Sequence, residues 1–272
     1  MVSENDISAC CFSPNKATLV FAGLLDGTIC VWDHREDLSD HREVFVRCQF
    51  EKFNDHTFLS PTYVTHKHED ETYHMSKIMC LRPLENRDNS DGGVASESKI
   101  SSSSSTNLFQ LASIEENGCL MIWTVLDGQH SVDFHTGLAH WGSVRLVRSL
   151  RLELNEHFLN DSMAQVAAHC LANDSLSLFI GSDNGIVFNV PIRPGQRSNP
   201  RTYGAEIDNT SSCRSIDFCP FGKDFMLVGK FKRHSYTTFL FMFDPKDSGE
   251  PGHLAFGNLS SKCVKNIFYL SL

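Results

Sequence analysis

Three histidines, His66, His68 and His74, with Glu69, Asp70 and Glu71 between them, are the sharpest candidate for chemistry in the chain. Two imidazoles at i and i+2 share one face of an extended segment, and neutral imidazole is a good zinc ligand. A hydrolase or metalloenzyme built on this cluster is the catalytic alternative. The same stretch is densely charged and precedes a strand-like run, which favours a solvated loop. Elsewhere there is no Gly-x-Ser-x-Gly, no Walker phosphate loop, no Gly-x-Gly-x-x-Gly after a strand and no His-Glu-x-x-His. The commonest nucleophilic, nucleotide and zinc signatures are therefore missing, although triads can assemble from distant residues. The expectation is a non-enzymatic protein with no catalytic residue, cofactor or metal. Ten cysteines in 272 residues, with no Cys-x-x-Cys, are too sparse for a disulfide scaffold and read as reduced, mostly buried thiols.

The elements that would position any site come from an internal repeat. Residues 19–33 (LVFAGLLDGTICVWD), 110–124 (QLASIEENGCLMIWT) and 178–192 (LFIGSDNGIVFNVPI) share an apolar run, a two-residue turn and a second apolar run. The turns Asp26-Gly27, Asn117-Gly118 and Asn184-Gly185 tolerate the positive φ of a tight hairpin. Five residues after each turn glycine stand Trp32, Trp123 and Val190, so the third copy has lost its tryptophan. A further short strand precedes each hairpin, at 7–14, 77–83 and 167–173, and a fourth copy starts at 215–220. Its hairpin, 225–244, replaces the Asx-Gly turn with a longer polar connection over Lys230 to Ser235.

Strand, turn, strand, Asx-Gly, strand and then Trp32-Asp33 is the signature of a WD40 blade. The expected fold is therefore all-β: one WD40 β-propeller domain over 1–272, with four recognisable blades. Residues 252–272 read as the start of a fifth. A blade cannot bury both faces alone, so blades must stack. Four blades and a fraction leave open strand edges, which suggests a partial propeller and a piece of a longer chain. Between the blades lie insertions. Residues 85–106 are polar and Ser-rich, with the composition of a disordered loop. Residues 137–163 contain an alternating run, Leu150 to Leu154, that favours a strand. Phe239, Phe241 and Phe243 alternate along one strand and suit packing between blades.

Charge and hydropathy narrow the class of partner. With 24 Lys+Arg against 33 Asp+Glu the net charge is -9, the wrong sign for a protein whose main partner is nucleic acid. No apolar run reaches the ~18 residues of a membrane span, and the first residues lack a signal-peptide pattern, so a cytosolic setting is expected. Trp32-Asp33-His34-Arg35 also matches the Trp-Asp-x-Arg pattern of WD40 substrate receptors of cullin-4 ubiquitin ligases. Adaptor binding through Trp32, Asp33 and Arg35 is thus an alternative to a blade-structural role.

A more extensive resemblance is to the WD-repeat dynein intermediate chains, within the cytoplasmic dynein-2 group. The stretches that carry it are CCFSPNKATLVFAGLLDGTICVWDHRE at 10–36, PTYVTH at 61–66, GLAHWGSVRLVRS at 137–149 and CRSIDFCPFGKDF at 213–225. It covers most of the chain and is weakest in the Ser-rich insertion and after Gly249. The resemblance implies a non-catalytic motor subunit whose propeller binds the dynein heavy chain, serving retrograde intraflagellar transport and cilium assembly. It implies residence in the cytoplasm, the cilium and ciliary base, and the cytoskeleton. It also implies contacts with a second dynein-2 intermediate chain and with dynein light chains, through a region absent from these 272 residues. Binding would use blade loops, with no single residue carrying it.

Overall fold

The structure, a computed structural model, describes residues 3, 5–14, 16–37, 59–65, 73–84, 106–127, 137–155, 167–174, 176–192, 202–203, 211–218, 226–232, 237–243 and 252–259. The Ser-rich segment 85–105 lies outside them, as do His66, His68 and residues 260–272. Among the described residues, sixteen strands form four antiparallel sheets of four, each built from consecutive strands. The first sheet comprises β1 (Ile7–Phe12), β2 (Leu19–Leu24), β3 (Ile29–Asp33) and β4 (Tyr63–Val64). The second comprises β5 (Ile78–Leu84), β6 (Thr106–Glu115), β7 (Cys119–Asp127) and β8 (Val144–Glu153). Then follow β9 (Ala168–Asn173), β10 (Ser177–Ser182), β11 (Val187–Pro191) and β12 (Thr202–Tyr203) in the third. The fourth holds β13 (Ser211–Phe218), β14 (Met226–Lys232), β15 (Thr237–Phe243) and β16 (Gly252–Leu259). This meander of four, with tight turns between the middle strands, is the WD40 blade. No helix among the described residues is long and apolar enough to cross a membrane.

The turn dipeptides do the local work. Gly27, Gly118 and Gly185 take φ of 89°, 86° and 79°, a region that side chains disfavour. Asp26 Oδ1 accepts the amide of Thr28 at 2.9 Å, and Asn184 Oδ1 accepts that of Ile186 at 3.2 Å, so each Asx side chain closes its own turn. The turns set the register: β2 meets β3 with Gly23 opposite Ile29, and β10 meets β11 with Gly181 opposite Val187. Every residue of β3 is buried, because a middle strand of a blade is covered on both faces.

Two elements are placed differently from the sequence expectation. Residues 144–153, inside what reads as an insertion, form the fourth strand of the second sheet. Gly252–Leu259 does not open a fifth blade; it pairs with β15 as the last strand of the fourth sheet. A period of about 40–45 residues, read against uneven insertions, leaves the fourth strands hardest to assign, because they carry no turn signature. The polar connection of the fourth hairpin is also shorter than expected. Lys230 belongs to β14, buried, and pairs across the sheet with Phe239 and Cys213.

The chain divides into two compact units. One comprises residues 1–115 and 120–151 and holds the first two sheets except Cys119 of β7 and the last two residues of β8; the other comprises 116–119 and 152–272 and holds the last two. In the first unit, Phe21 of β2 and Phe109 of β6 meet edge to face at 5.6 Å, joining its two blades through their buried faces. Within the first blade Ala22, Leu24, Cys30 and Trp32 pack together with Leu59 and Val64. In the second unit Phe179 and Tyr203 of the third sheet share a core with Cys213, Ile216, Met226 and Val228 of the fourth.

Candidate functional site

Of the three histidines, the structure describes His74, and it is not in a solvated loop. Its side chain is 1% exposed, four residues before β5, and its Nε2 lies 2.6 Å from Ser113 Oγ on β6. Ser113 Oγ also accepts the indole N–H of Trp123 on β7 at 2.7 Å. On the other side of the ring, Nδ1 stands 3.3 Å from Glu115 Oε2. One assignment of protons pairs three of the groups: Trp123 donates to Ser113 and Ser113 donates to Nε2, while Nδ1 faces the carboxylate without a well-aligned hydrogen bond. Glu115 Oε2 additionally accepts the amides of Met75 at 2.7 Å and Ser76 at 3.1 Å. Burial works against the Glu115 charge, but His74 and the hydrogen bonds from these amides outweigh it and hold the carboxyl below its ordinary range. Tyr73 stacks on Trp123 with centroids 6.2 Å apart.

Serine, histidine and an acid in this order have the composition of a nucleophilic triad. The geometry makes them a clamp instead. The serine hydroxyl is fully buried and already accepts from Trp123, and Glu115 Oε2 accepts the amides of Met75 and Ser76. The network ties the segment before β5 to the β6–β7 hairpin. In the first blade Ala22 stands where Ser113 does, five residues before the turn glycine, so the hydroxyl is missing. The indole N–H of Trp32 goes instead to the carbonyl of Leu59 at 3.1 Å. In the third blade the matching residues are Ile180 and Val190, both buried and apolar. Sequence reasoning grouped His74 with its neighbours His66 and His68; the signal that separates it is the spacing of Ser113 and Trp123, each five residues from Gly118.

The Trp-Asp-x-Arg residues lie at the end of β3. Trp32 and Asp33 are buried, and Arg35 is half exposed. The Arg35 guanidinium is hydrogen-bonded through Nε to both Asp33 oxygens, at 3.0 and 3.1 Å, and pairs through its Nη2 as well; Asp33 Oδ1 also accepts the Arg35 amide at 3.0 Å. The second carboxylate is Asp127, at the end of β7, 3.9 Å from Arg35 and ion-paired with Lys16. Burial opposes the charge of Asp33, yet the hydrogen bonds and charge of Arg35 pull its carboxyl below the usual range; Lys16 and Ser143 do the same for Asp127. Lys16, Asp33, Arg35 and Asp127 thus link the outer ends of the first two blades.

Two of the stretches that carry the family resemblance also meet. Val64 donates its amide to the carbonyl of Gly137 at 2.9 Å, and Ala139 donates to that of Thr62 at 2.9 Å. Tyr63 bridges to Leu138, and its hydroxyl donates to the carbonyl of Leu146 at 3.1 Å. The chain is similar to cytoplasmic dynein 2 intermediate chain 1. The Mus musculus protein of that name is 28% identical over 250 residues, 84% of this chain and 24% of its own length. The Homo sapiens protein is 28% identical over 243 residues, 84% of this chain and 22% of its own. The chain therefore spans less than a quarter of the length of the curated relatives it matches. No protein-family model matches it.

Proposed function

We propose that the chain is a non-catalytic dynein-2 intermediate chain, a blade scaffold that docks on the dynein heavy chain and serves retrograde intraflagellar transport and cilium assembly. The observation that carries this reading is the 28% identity to cytoplasmic dynein 2 intermediate chain 1 over 84% of the chain. Several physical features support it. The serine, histidine and acid constellation of the second blade is buried with the serine held by Trp123 and His74, and the buried middle strands leave loops and blade ends to meet partners. A net charge of -9 argues for protein rather than nucleic-acid partners. A second intermediate chain and light chains would be engaged outside these residues, with the assembly in the cytoplasm, the cilium and its base. The test is a pull-down of the chain with the dynein-2 heavy-chain tail. Retention is expected; failure under conditions that retain a known intermediate chain overturns the reading.

A second reading, an adaptor-binding surface of a cullin-4 ligase receptor, draws on Arg35, whose side chain remains 49% exposed while held by Asp33. It requires that Arg35→Ala abolish adaptor binding while the fold persists.

A further inference from the structure

Cys170 on β9 and Cys213 on β13 come from the third and fourth sheets, within one compact unit, and their Sγ atoms lie 3.7 Å apart. Neither is in a disulfide; Cys170 is partly buried and Cys213 fully so. The two sulfurs converge over Gly181 of β10, the cross-strand partner of Cys170, and a Cβ at Gly181 would overlap both of them. The repeat does not require sulfur here. At the matching place in the first unit, Gly23 is paired with Ala9, and the space above it is filled by the side chain of Ile78. A glycine and an apolar filler are enough to seat one blade on the next, yet here both fillers are thiols. Lys230 stands directly opposite Cys213 on β14 and is buried beside it. Burial draws the Lys230 ammonium pKa down, opposed in part by the neighbouring Cys213.

We propose that Cys170 and Cys213 are a modification site, a dithiol that a hydroperoxide converts to a disulfide joining the third blade to the fourth. Cys170, the less buried of the two residues, attacks the peroxide as a thiolate. The new bond is S–O, the O–O bond breaks, and the departing hydroxide takes up a proton as water, leaving a sulfenic acid. Cys213 then gives up its proton and attacks the Cys170 sulfur. The S–S bond forms, the S–O bond breaks, and a second water leaves. With hydrogen peroxide the balance is two thiols and one peroxide to one disulfide and two waters. The sulfurs must approach from 3.7 Å to the ~2.05 Å of a disulfide.

The test uses the reduced chain treated with hydrogen peroxide, blocked with an alkylating agent, digested without reductant and read by mass spectrometry. A linked pair of peptides containing Cys170 and Cys213 is expected, reversed by dithiothreitol, together with a higher melting temperature of the oxidised protein. Cys170→Ser should leave Cys213 alkylatable at the same dose. Should that variant not fold, the wild-type chain oxidised in urea serves instead, and there the preference of Cys170 for Cys213 should vanish. The proposal is overturned if both thiols stay alkylatable at a dose that oxidises the exposed Cys10. It is equally overturned if Cys170 pairs with other cysteines as often as with Cys213, or if the preference persists in urea.

Discussion

Ser113→Ala removes one oxygen, yet it should cost the first unit far more than a surface truncation. The hydroxyl is the hub between Trp123 Nε1 at 2.7 Å and His74 Nε2 at 2.6 Å, and all three groups are buried. Without it, an indole N–H and an imidazole nitrogen lose their partners where no water replaces them. Each orphaned buried polar group costs about 1–3 kcal/mol, so the pair gives about 2–6 kcal/mol, with about 3 kcal/mol as the working expectation. That is a large share of the ~5–15 kcal/mol that holds a typical domain folded. The assay is built in, because Trp32, Trp123 and Trp141 all lie in the first unit and make tryptophan fluorescence a reporter of its unfolding in urea. At this size a loss of ~3 kcal/mol corresponds to a fall of roughly 6–12 °C in Tm. A double-mutant cycle sharpens the test: once Trp123→Phe has removed the donor, Ser113→Ala should cost about 1 kcal/mol less than it does alone. If Ser113→Ala stays within about 0.5 kcal/mol of the parent and the cycle shows no coupling, the clamp is not a stabilising network and the reasoning fails.

Three further outcomes are expected. Acid should destabilise the first unit: the Asp33, Glu115 and Asp127 pKa values lie below their unfolded ones. Their contribution is therefore full above the ordinary carboxylate range near pH 4 and drains away as pH falls through the folded values. Fluorescence-detected urea midpoints that are flat from pH 6 to about pH 3 would contradict this, and Glu115→Gln should flatten the profile in part. Gly27→Ala should cost at least ~2 kcal/mol, because φ is 89° and a Cβ would stand 2.6 Å from the His74 carbonyl oxygen; an unchanged Tm refutes it. Arg35→Ala leaves the buried Asp33 carboxylate short of its main partner and should destabilise by about 1–3 kcal/mol. An unchanged melting curve together with loss of adaptor binding would favour the ligase-receptor reading instead.

The repeat was the most legible feature of the sequence, for a local reason. Asp26-Gly27, Asn117-Gly118 and Asn184-Gly185 adopt their turns through a glycine at positive φ, helped by the side chains of Asp26 and Asn184, so each hairpin is written into about fifteen consecutive residues. What lay beyond reach was which residues join across blades and to which sheet a strand without a turn signature belongs. Gly252–Leu259 has no local mark that distinguishes the last strand of one sheet from the first of another, and only pairing with β15 decides it. His74 sits close in sequence to two other histidines, and its role depends on Ser113 and Glu115, 39 and 41 residues further along. In the same way, Asp33 finds Arg35 two residues away, but the approach of Asp127 and Lys16 requires the second blade to be seated.

By itself, then, the sequence determined the blade pattern, the turn chemistry and the acidic balance, because these depend on residue type and short spacing. Only the tertiary structure decided which polar residues are buried together and which thiols face each other. Those juxtapositions arise when sheets stack face to face, and stacking joins residues that spacing along the chain keeps far apart.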